Sequence, residues 1–109
     1  MKLLENMFKS EFIEYLNDIG LKEATIRNYT DRIENNEDVQ NILCRFSGNK
    51  NLFGISDVAI LLDAHKYLKT TDLDKIGHRM YSCGIKHYIN FISKNKDLIL
   101  KQEIIKVLI

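Results

Sequence analysis

Arg79, Ser82, Lys86 and Asn90 recur every three or four residues between Gly77 and Ile92, with His78 beside the first of them. That spacing sets them on one face of a helix. The face carries basic and short hydrogen-bonding groups and no acid. Phosphate oxygens accept hydrogen bonds from such donors, so the chemistry on offer is contact with a nucleic-acid backbone. Lys22, Thr25, Asn28 and Arg32 repeat the pattern between Gly20 and Ile33, with Glu23 and Asp31 close by. The plain alternative for both faces is a solvated helix surface, which every amphipathic helix needs.

Other chemistries find less support. Cys83 and His87 stand at i, i+4, as do Asp74 and His78. Two ligands are too few for zinc, which takes four in structural sites and three plus water in catalytic ones. Cys44 and His65 add no useful spacing, so no metal and no other cofactor is expected. His65 reads as a boundary residue beside Tyr67 and Leu68. A Cys–His nucleophile pair needs an oxyanion site and a cleft as well, and nothing in the sequence suggests either. Gly77 and Gly84 fit no nucleotide-binding fingerprint. Tyr29, Tyr81 and Tyr88 offer themselves as base-stacking platforms, but they lie on apolar lines, and core packing is the better reading.

The elements that carry these residues read as helices. Leu4, Phe8, Phe12, Leu16 and Ile19 define the buried line of a first helix from about Leu4 to Asp18, ended by Gly20. A second runs from Glu23 to Glu34 on Ile26, Tyr29 and Ile33. Asn35 and Asn36 interrupt it, and a third follows on Val39, Ile42, Leu43 and Phe46. Ser47 to Gly54 is a loop, with Leu52 and Phe53 tucked onto the core. Ser56 or Asp57 caps a fourth helix to about Lys69, with Val58, Leu61, Leu62 and Leu68 inward. Thr71 or Asp72 caps the last, which is expected to run through Gly77 and Gly84; a helix carries such glycines where another backbone packs close, the better reading, or where a bend is needed. Its buried line is Tyr81, Ile85, Tyr88, Ile89 and Ile92. The expected fold is all-α, a compact bundle of four or five helices.

The chain has 109 residues, 45% of them apolar, and no proline. That length is one domain with a small but real core. The formal charge of +1 excludes a polycation. It is unevenly spread, with a net of −4 over residues 1–40 and +5 over residues 41–109. Two cysteines without CxxC spacing form no disulfide framework. No signal peptide and no run of about 20 apolar residues occurs, so no membrane partner is expected and the setting is read as cytoplasmic. Residues 97–109 form a separate unit, an apolar helix or the start of a following segment. Leu100, Ile104, Val107 and Leu108 there are expected to bury against residues 1–96 or a second copy.

Phe8-x3-Phe12-x2-Tyr15-Leu16, followed by Gly20-Leu21-Lys22-x2-Thr25-Ile26-x2-Tyr29, resembles the opening of the SAM-like core-binding domain of phage-integrase-type tyrosine recombinases. Gly77-His78-Arg79-Met80-Tyr81-Ser82, continuing to His87-Tyr88-Ile89-x-Phe91-Ile92, is similar to the last helix of that domain, and closer still to a variant at the front of some restriction-type and other nuclease-associated proteins. The resemblance implies a helical bundle that holds one side of double-stranded DNA and does no chemistry, with a catalytic domain elsewhere to close the clamp. The functions implied are DNA recombination and integration. The sequence departs from the pattern at Lys22, where relatives often carry a capping Ser, and at Asn35–Asn36, which break a region that is often one helix. No His-x-x-Arg motif is present, so no tyrosine here is read as catalytic and the chain is not expected to be an enzyme. The competing expectation is a protein-interaction module, a homodimer formed through the C-terminal segment.

Overall fold

Helix α1 (Lys2–Asp18) ends as Gly20 predicts. Gly20 takes φ +88°, the Gly20 amide donates to the Asn17 carbonyl and the Leu21 amide reaches back to the Leu16 carbonyl. Those two bonds satisfy carbonyls that the helix end would otherwise leave open. The protein is described by a computed structural model over residues 2–95, with side chains from Phe8 onward. The expectations for the apolar tail 97–109, and for Leu4 in the first helix's buried line, lie outside these described residues.

The second helical run starts as α2 (Glu23–Arg27) and widens into a π-helical turn over Asn28–Arg32. Lys22 precedes it without a side-chain cap. Thr30, buried within the wide turn, donates its hydroxyl to the Ile26 carbonyl at 2.7 Å, which gives that carbonyl a partner where the regular ladder is disturbed. Asn36 then caps α3 (Glu37–Ser47) by accepting from the Val39 amide. Its amide nitrogen donates to the Tyr81 hydroxyl, tying this cap to the last helix. A 3₁₀ turn, Leu52–Gly54, tucks Leu52 and Phe53 into the core. Asp57 caps α4 (Val58–Leu68), and Thr71 caps α5 (Asp72–Ile76).

The final helix differs from expectation. One helix through Gly77 was predicted, whereas the chain breaks after α5 and restarts as α6 (Met80–Lys94). His78 and Arg79 both take left-handed backbone, φ +53° and +66°. Gly77 is therefore the C-cap of α5 and does not lie inside a helix, yet it is closely packed: a Cβ there would lie 2.6 Å from Tyr81 Cε2. Gly84, inside α6, is packed closely too: a Cβ there would collide with Ile33 Cδ1 and lie 3.1 Å from Tyr29 Cδ1.

The described residues are all-helical, six α-helices with one π and one 3₁₀ turn. Helix α6 packs against α1, α4, α5 and the wide turn. The core is one cluster that includes Phe12, Leu16, Ile26, Leu61, Ile85, Tyr88 and Ile92, with Tyr29 half-buried against it. Phe12 sits at its centre, edge-on to Tyr88 at 5.3 Å and tilted against Phe53 and Phe91. The buried Tyr88 hydroxyl donates to the Ile55 carbonyl at 2.9 Å, and burial pushes its pKa up. Ile19 and Leu62, both expected inward, are 46% and 51% exposed. Ile19 falls beyond the last turn of α1, where the chain has begun to leave the helix. Leu62 follows Leu61, which takes the inward place on α4, and helical geometry turns successive residues about 100° apart.

Candidate nucleic-acid interface

A buried carboxylate organises the start of α6. The N-cap of α6 is Arg79, which offers no side-chain acceptor to the first amides. Asp74, on α5 and fully buried, takes that place from outside the helix: its Oδ1 accepts from the Ser82 amide at 2.9 Å. Its Oδ2 lies 3.3 Å from Arg79 Nη1. The same Nη1 donates to the Lys69 carbonyl at the end of α4, at 2.9 Å. Asp74 thus fixes Arg79 and joins α4, α5 and α6 at one point. An ionised acceptor suits the helix N-terminus, where the backbone dipole is positive.

Above this junction lies an open cleft of about 440 Å³ between α4 and α6, lined by His65, Lys69, Arg79, Ser82, Cys83 and Lys86. Arg79, Ser82 and Lys86 were expected together and are found together, but in unequal roles. Ser82 is only 4% exposed, its amide bound to Asp74 and its hydroxyl to the Arg79 carbonyl, so it belongs to the cleft floor and not to an outward stripe. Arg79 is half-exposed and half-committed to Asp74 and Lys69. Lys86 is exposed, as are His78 and Asn90. His65 and Lys69 were not among the expected site residues. They belong to another helix, and only the docking of α4 on α6 brings them in. Burial lowers the His65 pKa below the ordinary histidine value, and the charges of Lys69 and Lys86 lower it further, against smaller opposing effects of Asp74 and of a hydrogen bond with the Ser82 backbone.

Two residues of the second expected stripe meet in one depression. Asn28 and Arg32 line a shallow depression with Ala24, Arg27 and Asp31. Lys22 and Thr25 are not part of it. Seven residues separate Thr25 from Arg32, a spacing that regular winding would return to nearly the same face. The π-helical turn Asn28–Arg32 falls within that span, and nothing in the 3.6-residue pattern announces it. Asp31, which lines the depression, is paired at 2.7 Å with Lys9 of α1, which also binds Glu34 at 2.8 Å. Burial opposes the Lys9 charge, but the bonds to both carboxylates more than offset it and hold its pKa up.

The two basic regions flank one seam. Tyr29 stacks on His87 at 5.2 Å, and the Tyr29 backbone lies against Gly84. Ser82 on the other flank of α6 faces the cleft with α4. The exposed ridge of α6, Cys83, Lys86 and Asn90, therefore runs between them. Burial, then the charge of Lys86, lowers the His87 pKa. The described residues hold no cluster of three or more metal-ligating side chains and no helix long and apolar enough to cross a membrane. Cys44 and Cys83 are free thiols. No protein-family model, no curated protein and no solved structure matches the chain.

Proposed function

We propose that this domain holds the phosphate backbone of double-stranded DNA on the ridge of α6 and the basic regions beside it, and does no chemistry itself. The observation that carries the reading is the grouping of Lys69, Arg79 and Lys86 on one side of the seam and of Asn28 and Arg32 on the other. Donors spread over several elements suit a backbone that offers phosphates at intervals, and they position a duplex without reading its bases. The resemblance to the core-binding domain of tyrosine recombinases points the same way, with the catalytic part elsewhere. A cytoplasmic setting fits a DNA partner and two free thiols.

A net charge near zero sets a ceiling on affinity. Sequence-independent binding with a dissociation constant on the order of 10⁻⁴–10⁻⁶ M near physiological salt is expected. Fluorescence anisotropy with a labelled duplex at two salt concentrations tests it. Lys86→Ala and Arg32→Ala should each weaken binding evenly across sequences and flatten the salt slope. Arg79→Ala would mix lost contact with lost structure, because Arg79 also ties Asp74 to Lys69. No binding at low salt by folded protein at high micromolar concentration would reject the reading.

A further inference from the structure

We propose that the cleft between α4 and α6 is a site for a phosphomonoester, the terminal phosphate of a DNA strand or of a free nucleotide, and not merely a stretch of backbone contact. The inference rests on the geometry of this cleft and stands apart from the duplex reading. The depression beside Arg32 is smaller, about 220 Å³, and has Asp31 in its lining. The cleft's roughly 440 Å³ falls within the range of small-ligand sites. Lys69 reaches it from α4, and Arg79 and Lys86 from α6. The acid near them, Asp74, is buried behind Arg79 and already holds the Ser82 amide. Three cations against one carboxylate leave an excess of two, which matches a terminal phosphate dianion better than a singly charged diester. Arg79 is presented rigidly, because Asp74 and the Lys69 carbonyl both hold its Nη1 while half of the side chain stays in solvent. An ordered guanidinium loses less freedom on binding an anion than a loose one.

His65 makes the site sensitive to protons. It lines the cleft from α4 with Lys69 beside it, Lys86, Arg79 and Cys83 across on α6, and Asp74 behind from α5. Burial and the two lysines keep its imidazole neutral near pH 7. A bound dianion favours the imidazolium, so binding takes up protons and tightens as the pH falls.

Nitrogen-15 NMR titration of the whole chain tests both statements, with sulfate as a dianion whose charge is constant across the pH range. Sulfate and adenosine 5′-monophosphate should shift the His65, Ser82, Cys83 and Lys86 signals saturably, and adenosine should not. Lys69→Ala and Lys86→Ala, both at exposed side chains, should each weaken sulfate binding several-fold, with Arg27→Ala as an unaffected control. Sulfate affinity should rise between pH 7.5 and 5.5, and the rise should be lost in His65→Gln. Tighter binding of a 5′-phosphorylated duplex than of its 5′-hydroxyl twin would assign the site to strand ends. Tight binding of the nucleotide without that difference would assign it to free nucleotides. Shifts that do not saturate, or that ignore both lysine substitutions, overturn the site even if duplex binding persists. A saturable sulfate site in a protein that ignores duplex DNA leaves the site standing and removes the duplex reading.

Discussion

Asp74 is the residue on which most of the local structure depends. It is a buried carboxylate with two partners on a different helix, and it caps α6 from α5. Asp74→Ala should cost about 2–3 kcal/mol, the scale of hydrogen bonds to a charged group together with an amide left without its acceptor. Most of that belongs to the Ser82 amide, because the half-exposed Arg79 can recover water. Asp74→Asn keeps an acceptor for Ser82 and should lose less. Urea denaturation of both variants checks the order, and equal losses would mean that the charge of Asp74, and not the acceptor, is what matters. The sequence places Asp74 four residues before His78 and gives it no evident role, since its partners are fixed only by the break at His78–Arg79.

At the scale of the helix, α6 depends on a glycine. Glycine inside a helix ordinarily costs about 1 kcal/mol relative to alanine, so Gly84→Ala at an open position would stabilise. Here the added methyl meets Ile33 and Tyr29. Over-packing should dominate and destabilise the domain by about 1–3 kcal/mol, read as a lower melting temperature. The close approach at Gly84 was legible, because a glycine set among Tyr81, Ile85 and Tyr88 needs such a reason. The buried lines of Phe8–Phe12–Leu16 and Ile85–Tyr88–Ile92 were legible for the same reason: apolar spacing of three and four leaves one face to bury. Two features were not. The wide turn at Asn28–Arg32 has no compositional mark, and Gly77 marks the stop of α5 without announcing that His78 and Arg79 after it turn left-handed. Both fall among the expected site residues. The docking of α4 on α6, which neither helix announces alone, is what added His65 and Lys69 to the Arg79–Lys86 stripe.

Across the whole molecule, charge and burial meet in two histidines. His65 lines the cleft and His87 stacks on Tyr29, and burial, then neighbouring lysine charge, lowers the pKa of each. The folded state therefore disfavours their protonated forms, and the unfolded chain binds more protons. Stability rises with pH across that window. It is fully present above the unfolded value of about 6.5 and is lost as the pH falls through the lowered folded values. The melting temperature should be lower at pH 5.5 than at pH 7.5. A His65→Gln, His87→Gln double variant should show a smaller difference between the two, and an unchanged slope would place the effect on other groups. Acidification thus weakens the empty fold while strengthening anion capture at His65, and a saturating dianion should oppose part of the acid loss.

The left-handed pair also bears on how the domain could be improved. Each non-glycine residue held in that conformation costs about 1–2 kcal/mol. Arg79 cannot be exchanged without undoing the junction of α4, α5 and α6, but His78 is exposed. Glycine there would relieve the backbone at no steric cost, and His78→Gly should raise the melting temperature by several degrees, at about 4–8 °C for each kcal/mol gained. Such a gain would mean that the fold gives up thermal stability at the residue next to Arg79, which lines the cleft between α4 and α6.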